Sequence, residues 1–219
     1  KKTHELNASL SEMLVSLLIW SIHDGMKVRD EKYPVSVRIP VNLRKYFSTG
    51  SARNFICVFD TVHNFSKQGR KFEDVLANVK ETFKNKLSSE MLLGEFNRYT
   101  SFEHAPYIKV LPLGLKVIAL KTLLSHEKSK TSATFSNIGS IAMPKEMSRY
   151  IRLFSLFCSN ERLYVGVSSF LDITSISFLS PFVNTSVQRS FFRTLSGFDL
   201  DVELVSNTQE LQEDDNVVL

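Results

Sequence analysis

The sequence predicts an α+β chain: a mixed sheet in a layered sandwich, with helices packed on it. Three observations carry this. Long stretches with apolar residues at helical spacing occupy the first two thirds. Two-residue alternation marks two strands near the start and several in the last third. Strands and helices do not alternate strictly, as a purely parallel α/β fold requires, and no internal repeat is present.

The first helix is announced by Ser9-Leu10-Ser11-Glu12, which has capping-box spacing. It runs to about His23, where Gly25 is suited to a left-handed cap. Leu10, Met13, Leu14, Leu17 and Leu18 form one face, and Val15, Ile19 and Ile22 widen it, so the helix is buried on most sides. Tyr33-Pro34 breaks the chain. Val35, Val37, Ile39 and Val41 alternate with polar residues in a half-buried strand, and Pro40 points to an edge position or a strand end. Ser48–Ser51 reads as a loop. Asn54–Val62 is apolar on both faces and reads as a central strand. Phe72, Val75, Leu76, Val79, Phe83 and Leu87 trace a second helix, and residues 90–102 a third. Pro112 can open another that ends near His126. Lys128–Thr131 is a polar linker.

In the last third, Ser132–Ser136 is a short strand and Ile151–Phe157 reads as extended. Ser159-Asn160-Glu161 suits a hairpin turn into the alternating strand Leu163–Ser169. Asp172–Leu179 is a further strand. Thr185-Ser186-Val187-Gln188 has a second capping-box pattern, before a helix lined by Val187, Phe191 and Leu195 and closed by Gly197. Leu200, Val202 and Leu204 make a last strand.

The 219 residues are 43% hydrophobic and 23% charged, which excludes bulk disorder. Eight Gly and six Pro exclude a low-complexity chain, and 17 Phe predict an aromatic core. Two cysteines, Cys57 and Cys158, make no disulfide framework and fit a reducing, cytoplasmic compartment. The tail 207–219 holds four acidic residues and no Lys or Arg, and is predicted to be disordered. Residues 1–206 therefore form the domain and carry +8, with 27 Lys and Arg against the remaining 19 Asp and Glu. A basic body attracts phosphate-bearing ligands. It lacks the dense, aromatic-interleaved basic patch that nucleic-acid binding needs. The apolar run Met13–Ile22 is about half of what a bilayer span requires, so no membrane segment is expected. The start at Lys1-Lys2, without an initiator Met, reads as residues missing upstream.

No phosphate loop, Cys-x-x-Cys or His-Glu-x-x-His motif occurs, and the five histidines lack metal-ligand spacing, so no metal site is expected. His23-Asp24-Gly25 juxtaposes an imidazole and a carboxylate, but a histidine in a last helical turn is more plainly a partner of the helix dipole. Arg38 and Asn42 share one polar strand edge, and Arg44 continues that parity. Such a set can line a ligand channel or pair with loop carbonyls and carboxylates. At Thr134-Phe135-Ser136-Asn137-Ile138-Gly139, a strand ends in a hydroxyl and an amide before a glycine. Those donors can hold an oxyanion, or satisfy the backbone of their own turn.

In this order, "PVSVRIPVNLRKYF", "ARNFICVFDTV", "ATFSNIG", "MPKEM" and a Phe-rich end resemble the C-terminal half of a bacterial alcohol acetyltransferase-like family. That family belongs to the chloramphenicol acetyltransferase-like superfamily, with the condensation domains of peptide synthetases. The resemblance covers residues 5–206. It implies one lobe of a two-lobed CoA-dependent acyltransferase, with a catalytic His-His-x-x-x-Asp-Gly on the other lobe. It implies no tightly bound cofactor; the co-substrate is acyl-CoA or a phosphopantetheine thioester. This chain contains no His-His pair, so the resemblance implies a truncated lobe without its own base and leaves its status as an enzyme open. The implied partners are the missing N-terminal lobe, an acyl carrier protein, or a second copy meeting an exposed lobe surface. Ser136 and Asn137 match the family's strand-end pair and are the candidates for oxyanion or acyl contact. Arg38, Asn42, Arg44 and Asn54 match the "VNLR…RNF" blocks, as ligand contacts or as locks within the lobe. The alternative is a non-catalytic module of the same fold that docks a carrier protein.

Overall fold

A computed structural model describes residues 5–50, 52–104, 112–118, 121–122, 130–158, 162–198 and 200–206. The acidic tail 207–219, the expected turn at 159–161 and most of the expected 112–126 helix lie outside these residues; 113–118 are helical.

The first helix, α1 (Leu10–Asp24), starts as its capping box requires. The Glu12 N–H donates to Ser9 Oγ (3.2 Å), and the Ser9 N–H donates to Glu12 Oε2 (2.7 Å). Met13, Leu14, Val15, Leu17, Leu18 and Ile19 are buried. Ser16 and Ser21 are buried with them because their hydroxyls donate back to the carbonyls of Glu12 and Leu17. The left-handed cap does not form: Gly25 has φ −86°, and its N–H donates to Ile22 O at 3.2 Å.

Five strands, β1 (Val35–Asn42), β2 (Ile56–His63), β3 (Ala133–Ser140), β4 (Leu163–Phe170) and β5 (Ile173–Leu179), form one mixed sheet in the order β2-β1-β3-β4-β5. β1 runs antiparallel to β2 and parallel to β3; β4 runs parallel to β3 and antiparallel to β5. The expected α+β class holds. The helices α1, α2 (Phe72–Lys86) and α5 (Ser186–Ser196) cover one face of the sheet, and the core lies between them. Val37, Ile39, Phe59, Ala133, Phe135, Val165 and Val167 enter this core from the sheet, and Val75, Val79, Phe83 and Phe191 from the helices. Phe59 meets Phe83 edge to face at 5.4 Å. The helix α3 (Ser89–His104) covers Leu43 and Cys57 with Leu92. A single helical turn, α4 (Lys145–Ser148), follows β3.

Several expectations change. β2 is an outer strand and β1 an inner one, the reverse of the sequence reading. β2 is apolar on both faces, but Ile56 and Val62 on its outer face stay exposed. Ile151–Phe157 forms no ladder with β4. It crosses β4 as a strap, with Ser168 Oγ donating to Phe154 O (2.7 Å) and Leu156 seated on Gly166. Thr185 makes no side-chain cap; Asn184 Oδ1 accepts from the Ser186 N–H instead (2.8 Å). Residues 200–206 form no strand. β3 runs on to Ser140, past the expected end at Ser136, because a register shift between Asn137 and Gly139 lets it keep pairing with β4.

Candidate functional site

The parallel strands β1 and β3 pair at Val37/Ala133 and Arg38/Thr134, and the register extends no further. The Ser132 N–H closes the start of this ladder on Ser36 O (2.8 Å). Beyond Arg38, β1 is paired with β2 alone, and beyond Thr134, β3 is paired with β4 alone. The C-terminal ends of two parallel neighbours therefore part. In open sheets with parallel strands, this end and this kind of gap are where ligands bind.

Pro40 lies at the parting and cannot bridge it. Ser36 accepts from β3, so the even-numbered residues of β1 turn their backbone groups toward β3. Position 40 should donate to β3 in a continuous ladder, and proline has no N–H to give. The proline rule behind the edge assignment thus holds for one side of half a strand.

Below the parting sits the first turn of α1. Asn137 Nδ2 donates to Ser11 Oγ (2.9 Å), and Asn137 Oδ1 accepts from the Gly139 N–H (2.8 Å). Gly139 takes φ +83°, a left-handed value that glycine adopts without strain. The Lys45 ammonium reaches across from β1's end, 4.0 Å from where a Cβ on Gly139 would lie.

The sheet face away from the helices holds Arg38, Asp60, Thr134 and Ser136. Arg38 Nε and Nη2 grip both Asp60 oxygens at 2.9 and 3.0 Å, a bidentate pair across β1 and β2. Ser136 is partly buried, and its hydroxyl makes no hydrogen bond among the described residues. It pairs with Gly166 on β4, and the Leu156 strap over Gly166 walls that side.

The structure brings Ser136 and Asn137 to the parting but on opposite faces, because neighbours on a strand alternate. Asn42 Oδ1 accepts from the Arg44 N–H (3.0 Å) and caps the turn 43–45. Arg44 reaches the Arg53 carbonyl, and Asn54 is exposed on the loop before β2. These three belong to the end of β1 and to the turn and loop that join it to β2. Asp60, Ser11 and Lys45 were not singled out as site residues from the sequence, and Pro40 reads there only as a sign of an edge or a strand end. Strand parity could have found Asp60; the link to Ser11 spans 126 positions and leaves no local signal.

Other chemistry is absent from the described residues. No group of three or more His, Cys, Asp or Glu side chains could hold a metal ion. No helix is long and apolar enough to cross a membrane. Burial pushes the Cys57 thiol up and keeps it protonated. His23 Nε2 lies 3.2 Å from Glu31 Oε1, and its ring stacks on Phe65 at 3.7 Å, so the imidazole faces Glu31 rather than Asp24.

No family model and no curated protein matches the chain. Solved structures do. A trichothecene 15-O-acetyltransferase from Fusarium sporotrichioides superposes with TM-score 0.52 at 13% identity, over 87% of this chain and 40% of that one. The epimerization domain from the third module of tyrocidine synthetase B superposes with TM-score 0.50 at 12% identity, over 89% and 42%. The chain thus has the CoA-dependent acyltransferase fold that its sequence blocks resemble, and it spans about two fifths of the length of these structures.

Proposed function

We propose that this chain is the C-terminal lobe of a cytoplasmic alcohol acetyltransferase-like enzyme. It would transfer an acyl group from a CoA or carrier-protein thioester to an alcohol or amine. The observation that carries this reading is the parting of β1 and β3 beside the Ser136 hydroxyl, which makes no hydrogen bond among the described residues. A pantetheine arm is a thin chain with two amides. Unpaired strand edges offer it backbone donors and acceptors while the thioester reaches the open face.

In this scheme Ser136 donates to the oxygen that gains charge as the acceptor attacks the thioester carbonyl. Asn137 is a positioning residue: it fixes the bulge of β3 to α1 and thereby sets where Ser136 stands. Arg38, Asn42 and Arg44 lock the lobe. The general base comes from a preceding lobe carrying His-His-x-x-x-Asp-Gly, so the chain alone is inactive. The exposed Tyr150, Leu153 and Phe157 on and before the strap support a surface that such a lobe covers, and that can self-associate without it. A second reading, a non-catalytic module docking an acidic acyl carrier protein, draws on the +8 charge of residues 1–206.

The test is acetyl-CoA turnover, read as thiol release, by this chain and by the chain extended with the preceding lobe. Turnover is expected only with the extension, and Ser136→Ala should lower its kcat by about 10- to 100-fold. Turnover by the chain alone overturns the half-enzyme reading. A preceding lobe without the His-His motif would favour the docking module.

A further inference from the structure

The outer edge of β2 points to a second interface, independent of the acyl-transfer reading. Asn78 Nδ2 donates to the Val62 carbonyl (2.8 Å), while the Phe55 carbonyl accepts from Leu43 on the β1 side. Even-numbered residues of β2 therefore turn their backbone groups outward. Among the described residues, the outward C=O of Val58 and the N–H and C=O of Asp60 meet no other strand, and the Val58 N–H reaches only the Cys57 thiol beside it. Proteins normally blunt such an edge with proline, lysine, a bulge or a covering element. β2 contains no proline or lysine, and its register with β1 is unbroken over all eight residues. Its outer face also shows Ile56 and Val62, 45% and 43% exposed.

The strand is self-complementary about Phe59. With a two-fold axis there, Val58 and Asp60 of one copy exchange backbone bonds with Asp60 and Val58 of the other. Ile56 then lies opposite Val62 at both ends, so each exposed aliphatic covers the other. Each Asp60 is diagonal to its copy and already held by its own Arg38. Alternative registers are worse. A shift of two residues one way sets Asp60 opposite Asp60, like charges face to face. A shift the other way sets Asp60 opposite Ile56 and leaves Val62 uncovered. We propose that β2 pairs antiparallel with β2 of a second copy of this chain in the register Ile56/Val62, Val58/Asp60, joining two five-stranded sheets into one.

Sedimentation of the full 219-residue chain from about 1 to 200 μM tests this, since a dimer follows mass action. A concentration-dependent dimer is expected. Val58→Pro deletes an outward N–H without removing a bond to β1, and should raise the dimer dissociation constant at least about tenfold. The double variant Ile56→Lys, Val62→Lys changes exposed side chains and should do the same. It decides the matter if circular dichroism shows Val58→Pro to be unfolded. A chain monomeric throughout the range overturns the proposal, and so does a dimer that the folded variants leave unchanged.

Discussion

Asn137 and Ser11, 126 positions apart, share a hydrogen bond of 2.9 Å that ties the bulge of β3 to the first turn of α1. The same side chain holds the Gly139 N–H, so one amide sets both the bend of the strand and its height over the helix. Asn137→Ala should cost about 1–3 kcal/mol, because two partners lose their bonds at a partly buried site. Asn137→Asp keeps the acceptor for Gly139 and loses the donor to Ser11, and should cost less. Urea unfolding of both variants, and of each combined with Ser11→Ala, reads the coupling. Additive losses would show that the pair does not interact.

Pro40 marks where β1 leaves β3. In a Pro40→Val variant the new N–H faces the gap and finds no acceptor. Its amide should exchange with solvent as fast as those of exposed loops, and stability should move by no more than about 0.5 kcal/mol. A protected amide at position 40 would show that the strands close once proline is gone. The parting would then be a consequence of that residue alone.

Gly166 is the seat of the strap. A Cβ there would lie 2.6 Å from Leu156 Cβ and 3.2 Å from Leu156 O. Gly166→Ala should therefore cost about 1–3 kcal/mol by overpacking. Adding Leu156→Gly should recover part of the loss, since it removes the obstructing Cβ. Thermal unfolding of the single and double variants measures both effects.

His63 makes stability depend on pH. It is buried at the end of β2, with Nε2 3.1 Å from Gly69 O and, among the described residues, no partner for Nδ1. Desolvation lowers its pKa below the usual 6.5, against a smaller opposing effect of the Gly69 carbonyl and of Asp74; His23 adds to the lowering. The unfolded chain thus takes up a proton that the folded chain refuses. This contribution is intact above about pH 6.5 and is lost as pH falls below it, by up to about 1.4 kcal/mol per pH unit until the folded group also protonates. His63→Gln should flatten the slope of unfolding free energy between pH 6.5 and 5. An unchanged slope would place its origin in other groups.

Local chemistry reached far into this fold. The capping box at Ser9 and Glu12, the apolar stripe of α1 and the alternation in β1 and β4 all act within a few residues, and each produced its expected element. The α+β class followed from their order, and the blocks around Arg38 and Ser136 led to the acyltransferase fold. Sequence reading failed where an element's fate rests on distant neighbours. Leu200–Leu204 alternates like a strand, but among the described residues it pairs with neither outer strand of the sheet. Asn54–Val62 looks central, but strand order is set by the packing of α1 and α2 and by the path that brings β3 beside β1.

The site divides along the same line. Ser136, Asn137 and Gly139 could be picked out because a hydroxyl, an amide and a glycine at a strand end are visible locally. That Ser136 faces the open side while Asn137 turns to Ser11 required the strand's parity and the helix beneath it. Pro40 was legible as a missing donor. Which neighbour it fails to bond, and hence the gap it lies beside, depends on the sheet order, because a backbone N–H acquires a direction only when a particular strand lies beside it.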